Sequence, residues 1–201
     1  MQIVIASKNM HKIRELRSLL KTIKNLDVLS LLDFPEYQPT EEIGSSFEEI
    51  ACKKALHAAQ ALQKWSIADD SGLVIPCLGG SPGIYSARYA GEGSSDKEKR
   101  VKLLKELSFI QEPQERNAYF ECCIAISSPE KIQKQVTGLC EGSIALEEKG
   151  SKGFGYDSLF IKHEYSKTFA ELDEDIKNRI SHRRKAFEKI APFLESIRPV
   201  A

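Results

Sequence analysis

The 201-residue chain has no net charge: 29 Lys and Arg offset 29 Asp and Glu. A dedicated nucleic-acid binder usually carries a basic excess, so the balance weighs against that class. No run of stacking aromatics speaks for it either. The cysteines are five, Cys52, Cys77, Cys122, Cys123 and Cys140. Their number is odd and no CxxC pair occurs, which excludes a disulfide framework and a structural zinc site. Buried, reduced thiols are expected instead. No stretch approaches the roughly 20 apolar residues of a membrane span. The opening MQIVIASKNMHK has neither the apolar length nor the basic lead of a signal peptide. Repeats, low-complexity tracts and a clear interdomain linker are also missing. A soluble, cytoplasmic protein with no membrane or nucleic-acid partner is the expectation.

What is present reads as one α/β domain. Gln2 to Ala6 is short and β-branched, a buried strand. Met10 to Leu20 carries Ile13, Leu16, Leu19 and Leu20 at helical spacing. Pro35 to Ser46 is a polar loop holding Glu41 and Glu42. Ser46 to Gln63 is a second helix, and Ile67 to Asp70 a brief strand ending in two carboxylates. Leu78 to Gly93, rich in Gly and Pro, is largely irregular, and Ser95 to Leu107 is an amphipathic helix. Tyr119 to Ile126 and Gln135 to Leu146 form an antiparallel strand pair, so the sheet is mixed. Gly150 to Asp157 is a glycine-rich loop leading into a strand over 158–161. The tail from about Asp173 to Ile197 is helical, with Pro192 expected to kink or end it.

Several segments carry residues suited to chemistry. Ser7, Lys8, Asn9 and Lys12 gather at a helix start, where unbonded N–H groups and the positive dipole end suit a phosphate. A plain N-cap with surface lysines fits the same residues. On the second helix, Phe47, Ile50, Ala51, Ala55, Ala58 and Leu62 form one apolar stripe, and Lys54 falls inside it. A lysine there either snorkels out or meets an anion. Asp69 and Asp70 stand side by side in ADDSGL. Adjacent carboxylates call for a neutralising cation, and hard oxygens suit Mg²⁺. One of the two fits a general base toward water; an ordinary Asp-Ser-Gly turn is the competing account. Arg88 closes the loop LGGSPGIYSAR and can fork onto phosphate oxygens. Phe154 lies between Gly153 and Gly155, where a ring can stack on a base. Ser181 is placed to cap a final helix, with His182 and Arg183 as donors on its first turn.

Together these segments resemble the non-canonical purine NTP pyrophosphatase family, also called inosine triphosphate pyrophosphatase or Ham1-like. The matching elements, in the family's order, are SKNxxK at Ser7 to Lys12, FxExAxxKA at Phe47 to Ala55, ADDSGL at Ala68 to Leu73 and LGGxPGxYSAR at Leu78 to Arg88. FGYD at Phe154 to Asp157, TxAEL at Thr168 to Leu172 and KNxxSHR at Lys177 to Arg183 follow. The resemblance implies a single domain over 1–201 with an elongated central mixed sheet flanked by helices. It also implies two lobes with an active-site cleft between them, a homodimer, and Mg²⁺. The implied reaction turns a triphosphate such as dITP, ITP, XTP or dXTP into monophosphate and pyrophosphate by water attack at the α-phosphate. The implied roles put Ser7, Lys8, Asn9, Met10, His11, Lys12 and Lys54 on the triphosphate. Asp70 is the implied base or metal ligand, with Asp69 beside it and Glu41 or Glu42 completing the metal site. Ser71, Phe154, Gly155, Tyr156, Asp157, Lys177, His182 and Arg183 line the nucleoside pocket. Three positions depart from the family's pattern. Ile50 replaces a frequent Asn, Ser7 a usual Thr, and Lys8 a Gly, Asn or His. A packing change is expected from the first, a kept hydroxyl from the second and added charge from the third. A related house-cleaning pyrophosphatase of the Maf type and a nucleotide-binding regulator without turnover are the rivals. ADDSG and SHR speak against the first, Asp69, Asp70 and Lys54 against the second.

Overall fold

Strand β1 (Gln2–Ile5) buries three of its four residues completely. Helix α1 (Met10–Leu20) turns Ile13, Leu16, Leu19 and Leu20 inward, as its apolar spacing requires. Strand β2 (Asp27–Ser30) follows, paired parallel to β1 from Gln2–Asp27 to Ile5–Ser30. Helix α2 (Phe47–Leu62) starts at Ser46, whose hydroxyl accepts the Glu49 N–H at 3.1 Å. It stops at Gln63, which adopts a left-handed φ of 51°. Strand β3 (Trp65–Val74) pairs parallel to β1. Helix α3 (Asp96–Glu106) opens on a reciprocal cap between Ser95 and Glu98. Strands β4 (Asn117–Ser127), β5 (Ile132–Ile144) and β6 (Phe160–Lys162) and helices α4 (Glu174–Ile180) and α5 (His182–Ser196) complete the chain. The computed structural model describes residues 1–112 and 115–197.

The strands form one six-stranded sheet in the order β2-β1-β3-β4-β5-β6. Pairing is parallel at β1–β2 and β1–β3 and antiparallel at β5–β6, so the sheet is mixed and the class is α/β. Internal contacts divide the chain into two units. One holds Met1–Asp70, Cys122–Gly138 and the residues from Arg183 on; the other holds Ser71–Glu121 and Leu139–His182. The first has a core of Ile3, Ile5, Leu16, Leu20, Ile67, Ile124, Phe187 and Ile190 among others. The second is built around Leu73, Leu103, Phe120, Phe160 and Phe169.

Three expectations need correction. The strand with the two aspartates does not end there: β3 runs on through Ser71 and Gly72 to Val74. The two carboxylates are buried and matched by cations, so the backbone has no reason to turn out to water. The tail divides at Ser181, placed by the sequence at the start of a final helix: it is extended, with ψ of 160°, between α4 and α5. Pro192 does not stop α5, which continues to Ser196. Pro192 and Glu188 are exposed, so the carbonyl that loses its helical donor is open to water. Finally, Cys122, Cys123 and Cys140 are buried, but Cys52 is half-buried and Cys77 exposed. The 78–93 loop also contains a 3₁₀ segment over Gly83–Arg88.

Candidate functional site

In the first unit, β3 delivers Asp69 and Asp70, and strand alternation turns them to opposite faces. Asp69 meets α1 and α5. Arg183 Nη2 and Nε donate to its Oδ2 at 2.8 and 3.2 Å, and Lys12 Nζ lies 3.3 Å from the same oxygen. The Arg183 guanidinium also donates to Glu15 of α1. Asp70 meets α2. Lys54 Nζ donates to its Oδ1 at 3.2 Å and to the Asp69 carbonyl at 3.1 Å. It also pairs with Glu42 Oε1 at 2.8 Å. Lys54 is only 9% exposed, and these anions are what let it stay in the apolar stripe.

The two aspartates are electrostatically unlike. Burial pushes the Asp69 carboxyl up, but Arg183, Lys12 and Lys54 outweigh it and hold it well below the usual carboxylate range. For Asp70, burial wins over Lys12 and Lys54, and Glu42 and Asp69 add to the upward push. Burial works against the Lys54 ammonium, yet Asp70, Glu42 and Asp69 together raise it. One ammonium faces three carboxylates, so it keeps its proton while Asp70 competes for its charge. Burial also opposes the Glu42 charge, and Lys54 reverses the effect, leaving Glu42 lowered.

At the start of α1 the Asn9 side chain accepts N–H groups from His11 at 3.0 Å and Lys12 at 3.2 Å. Ser7 Oγ accepts the Asn9 N–H at 3.1 Å. Asn9 is thus the N-cap, and Met10 and His11 beside it are exposed. Lys8 reaches the Tyr37 carbonyl at 3.4 Å. Glu41 is exposed beside Glu42.

The second unit holds another group. Asp157 Oδ2 accepts from Lys177 Nζ at 2.6 Å and from the Phe154 N–H at 2.9 Å. Gly153, at φ +76°, is obligatory: a Cβ there would lie 2.0 Å from Asp157 Oδ2. Lys177 Nζ stands 5.0 Å from the Phe154 ring centroid. Tyr156 is buried and donates to the Ser86 carbonyl at 3.1 Å. His182 stacks on Phe120, centroids 4.8 Å apart and planes at 16°. Ser71 opens this unit, directly after Asp70.

Some residues do not gather as the sequence suggested. Arg183 belongs to Asp69 and Glu15 in the first unit, while its neighbour His182 belongs to the second. Arg88 lies 5.2 Å over the Tyr85 ring and 3.7 Å from Glu92. Ile50 is buried and close to Gly44, where a Cβ would stand 2.7 Å from its Cγ1. Glu15 was missed; its signal was an acid next to the apolar stripe of α1. Asp96 and Arg100, which bond Gly155, were missed as well, and only the tertiary fold brings them there. Among the described residues, no three His, Cys, Asp or Glu side chains group as a ready metal cage. No helix among them is long and apolar enough to cross a membrane.

Comparison with known proteins places this geometry in context. The Ham1 family model matches residues 3–193. A dITP/XTP pyrophosphatase of Protochlamydia amoebophila is 54% identical over 98% of this chain and 100% of its own. One from Chlamydia abortus is 52% identical over 98% and 96%. Among solved structures, a HAM1 protein from Coxiella burnetii superposes with a TM-score of 0.88 at 38% identity, covering 98% of this chain and 100% of its own. The Staphylococcus aureus Ham1 protein gives 0.85 at 42% identity, covering 97% and 98%.

Proposed function

The chain belongs to the Ham1 family, and from that premise we propose that it hydrolyses dITP, ITP, XTP and dXTP to the monophosphate and pyrophosphate, clearing them from the cytoplasmic nucleotide pool as a homodimer. The observation that carries the reading is the buried Lys54, bonded to Asp70 and Glu42. A buried ion cluster adds little to stability, so a role in chemistry accounts for its presence.

In this reading Asp70 is the base. It accepts a proton from water as the water oxygen bonds the α-phosphorus and the bond to the pyrophosphate oxygen breaks. Its upward-shifted carboxyl makes it a stronger base than an ordinary carboxylate once ionised. Lys54 orients Asp70 and, with Lys12, offsets charge on the phosphates. Asp69 holds Arg183 and Lys12 in place and is not the base. Hard carboxylate oxygens on Asp70 and Glu42, with Glu41 adjacent, fit Mg²⁺, whose usual partners are one or two carboxylates plus substrate phosphates. That ion would supply neutralisation of the charge that builds at the α-phosphate. Ser7 to Lys12 serve the phosphates. Phe154 to Asp157, Lys177 and His182 serve the nucleoside. Hypoxanthine and xanthine offer a 6-keto acceptor where adenine offers an amino donor. A pocket donor left unpaired by adenine discriminates by as much as about 10⁴-fold.

The test is hydrolysis of ITP, XTP, GTP, ATP and dTTP with Mg²⁺ or excess EDTA, resolving pyrophosphate from orthophosphate. Pyrophosphate from ITP and XTP alone, abolished by EDTA, is expected. Binding of inosine nucleotides without turnover of any triphosphate overturns the proposal.

A further inference from the structure

Helix α3 grips two loops by their backbones. Asp96 Oδ2 accepts the Gly155 N–H at 2.7 Å, and Arg100 Nη1 donates to the Gly155 carbonyl at 2.9 Å. Both polar groups of one residue are therefore held by side chains one helical turn apart. Arg100 is braced in turn by Glu148, 2.8 Å from its Nε, and Glu148 accepts from Ser158 Oγ at 3.2 Å. On the same helix Lys99 donates to the Ala87 carbonyl at 3.3 Å and Lys102 to the Tyr89 carbonyl at 2.7 Å. Those two carbonyls flank Arg88.

Packing does not do this work at Gly155. The residue has a φ of +61°, and a Cβ built on it would meet nothing within 4 Å. Hydrogen bonds from α3 hold both its N–H and its carbonyl, beside the Tyr156–Ser86 and Asp157–Phe154 bonds of its neighbours. Phe154 and Tyr156 are its chain neighbours, and the Asp157 carboxylate that holds Lys177 follows two residues on.

We infer that Arg100 is a positioning residue for base selection: through the Gly155 carbonyl it fixes the loop that presents Phe154 and Asp157. The inference rests on the reading of 154–157 as the nucleoside loop. Arg100 touches no substrate itself. Removing it leaves the loop tethered on one side, so the pocket's donors stand less exactly where the 6-keto group arrives.

The test compares wild type with Arg100→Ala, Arg100→Met and Arg100→Lys. It measures kcat and KM for ITP and ATP together with the melting temperature. A loosened loop should cost about tenfold, an order below the roughly 100-fold of a 1 Å misplacement. Arg100→Ala is expected to raise KM for ITP with a smaller change in kcat, and to narrow the ITP-to-ATP ratio of kcat/KM about tenfold. Lys, which keeps a donor, should recover most of that ratio. A wild-type ratio in both Ala and Met variants overturns the inference, and so does an equal loss on both substrates, which marks a merely structural role. Should the Ala variant not fold, the Met variant decides alone. A wild-type chain that hydrolyses no ITP overturns the proposed function first, and this inference with it.

Discussion

Asp69 and Asp70 are neighbours, yet replacing each by Asn should have opposite consequences. Asp69 faces Arg183, which is 1% exposed, through two N–H groups of its guanidinium, and faces Lys12 at 3.3 Å. Asp69→Asn leaves a buried guanidinium with Glu15 as its remaining carboxylate. Breaking a buried pair typically costs 3–5 kcal/mol, and the surviving Glu15 sets the loss at about 3 kcal/mol. For a chain of this size each kcal/mol moves the melting temperature about 2–4 °C, so a drop of about 6–12 °C is expected. Asp70→Asn removes a charge that burial already opposes, and Lys54 keeps Glu42 and the Asp69 carbonyl. That variant should fold at least as stably as wild type and lose turnover.

The pH dependence separates them further. Asp69 is depressed, so its contribution is fully present above the ordinary carboxylate value and is lost as pH falls below about 4 toward its folded value. The stability gap between wild type and Asp69→Asn should be flat from pH 6 to 8 and close in acid. Asp70 is raised, so the folded state binds its proton more tightly than the unfolded chain and is penalised at neutral pH. Any gain from Asp70→Asn should vanish in acid. Thermal unfolding followed by circular dichroism from pH 3 to 8, with pyrophosphate release at pH 8, reads both. Equal melting temperatures for the two variants, or near-normal turnover in Asp70→Asn, would refute the division of roles.

Two further perturbations address the same groups. Lys54→Met removes the ammonium that restrains Asp70, so turnover should fall about 100-fold or more. The acid limb of its pH–rate profile should move to higher pH, because a cation that pulls the Asp70 carboxyl down is gone. An unmoved limb would detach Lys54 from Asp70. Gly153→Ala forces a left-handed residue and drives a methyl into the Asp157 carboxylate. It should lose about 1–2 kcal/mol from backbone strain alone and bind inosine monophosphate more weakly by calorimetry.

What could be read from the sequence was what repeats locally. The apolar stripes of α1 and α2 gave both helices, because 3.6-residue periodicity is a property of the segment alone. Lys54 was legible as an anomaly, a charge inside a stripe that demands a partner. Strand β2 was not seen, since DVLS is four residues long and takes its structure from pairing with β1. The length of β3 was misjudged because Asp-Ser-Gly is turn chemistry in isolation. Only distant cations, Lys12, Lys54 and Arg183, make two consecutive aspartates tolerable inside a strand. The same distance hid the roles of Glu15 and Arg100. Their partners lie 168 and 55 residues along the chain, and no local pattern encodes such a pairing.

The buried charges also explain why the fold has this cost at all. Apolar residues of similar volume at Glu15, Asp69 and Arg183 would often be neutral or favourable for stability. The chain instead retains two buried or half-buried ion groups in the first unit, and their members divide along β3. On one side Asp69 is held ionised by the Arg183 guanidinium and the Lys12 ammonium on its Oδ2. On the other Asp70 is left under-matched, because Lys54 is shared with Glu42 and the Asp69 carbonyl. A carboxylate whose charge is already stabilised in this way is a poor base. An under-matched one beside an ammonium is poised both to take a proton and to meet a cation. On the proposed reading of Asp70 as the base, the alternation of a single strand separates support from reactivity, so the two aspartates are adjacent without being redundant.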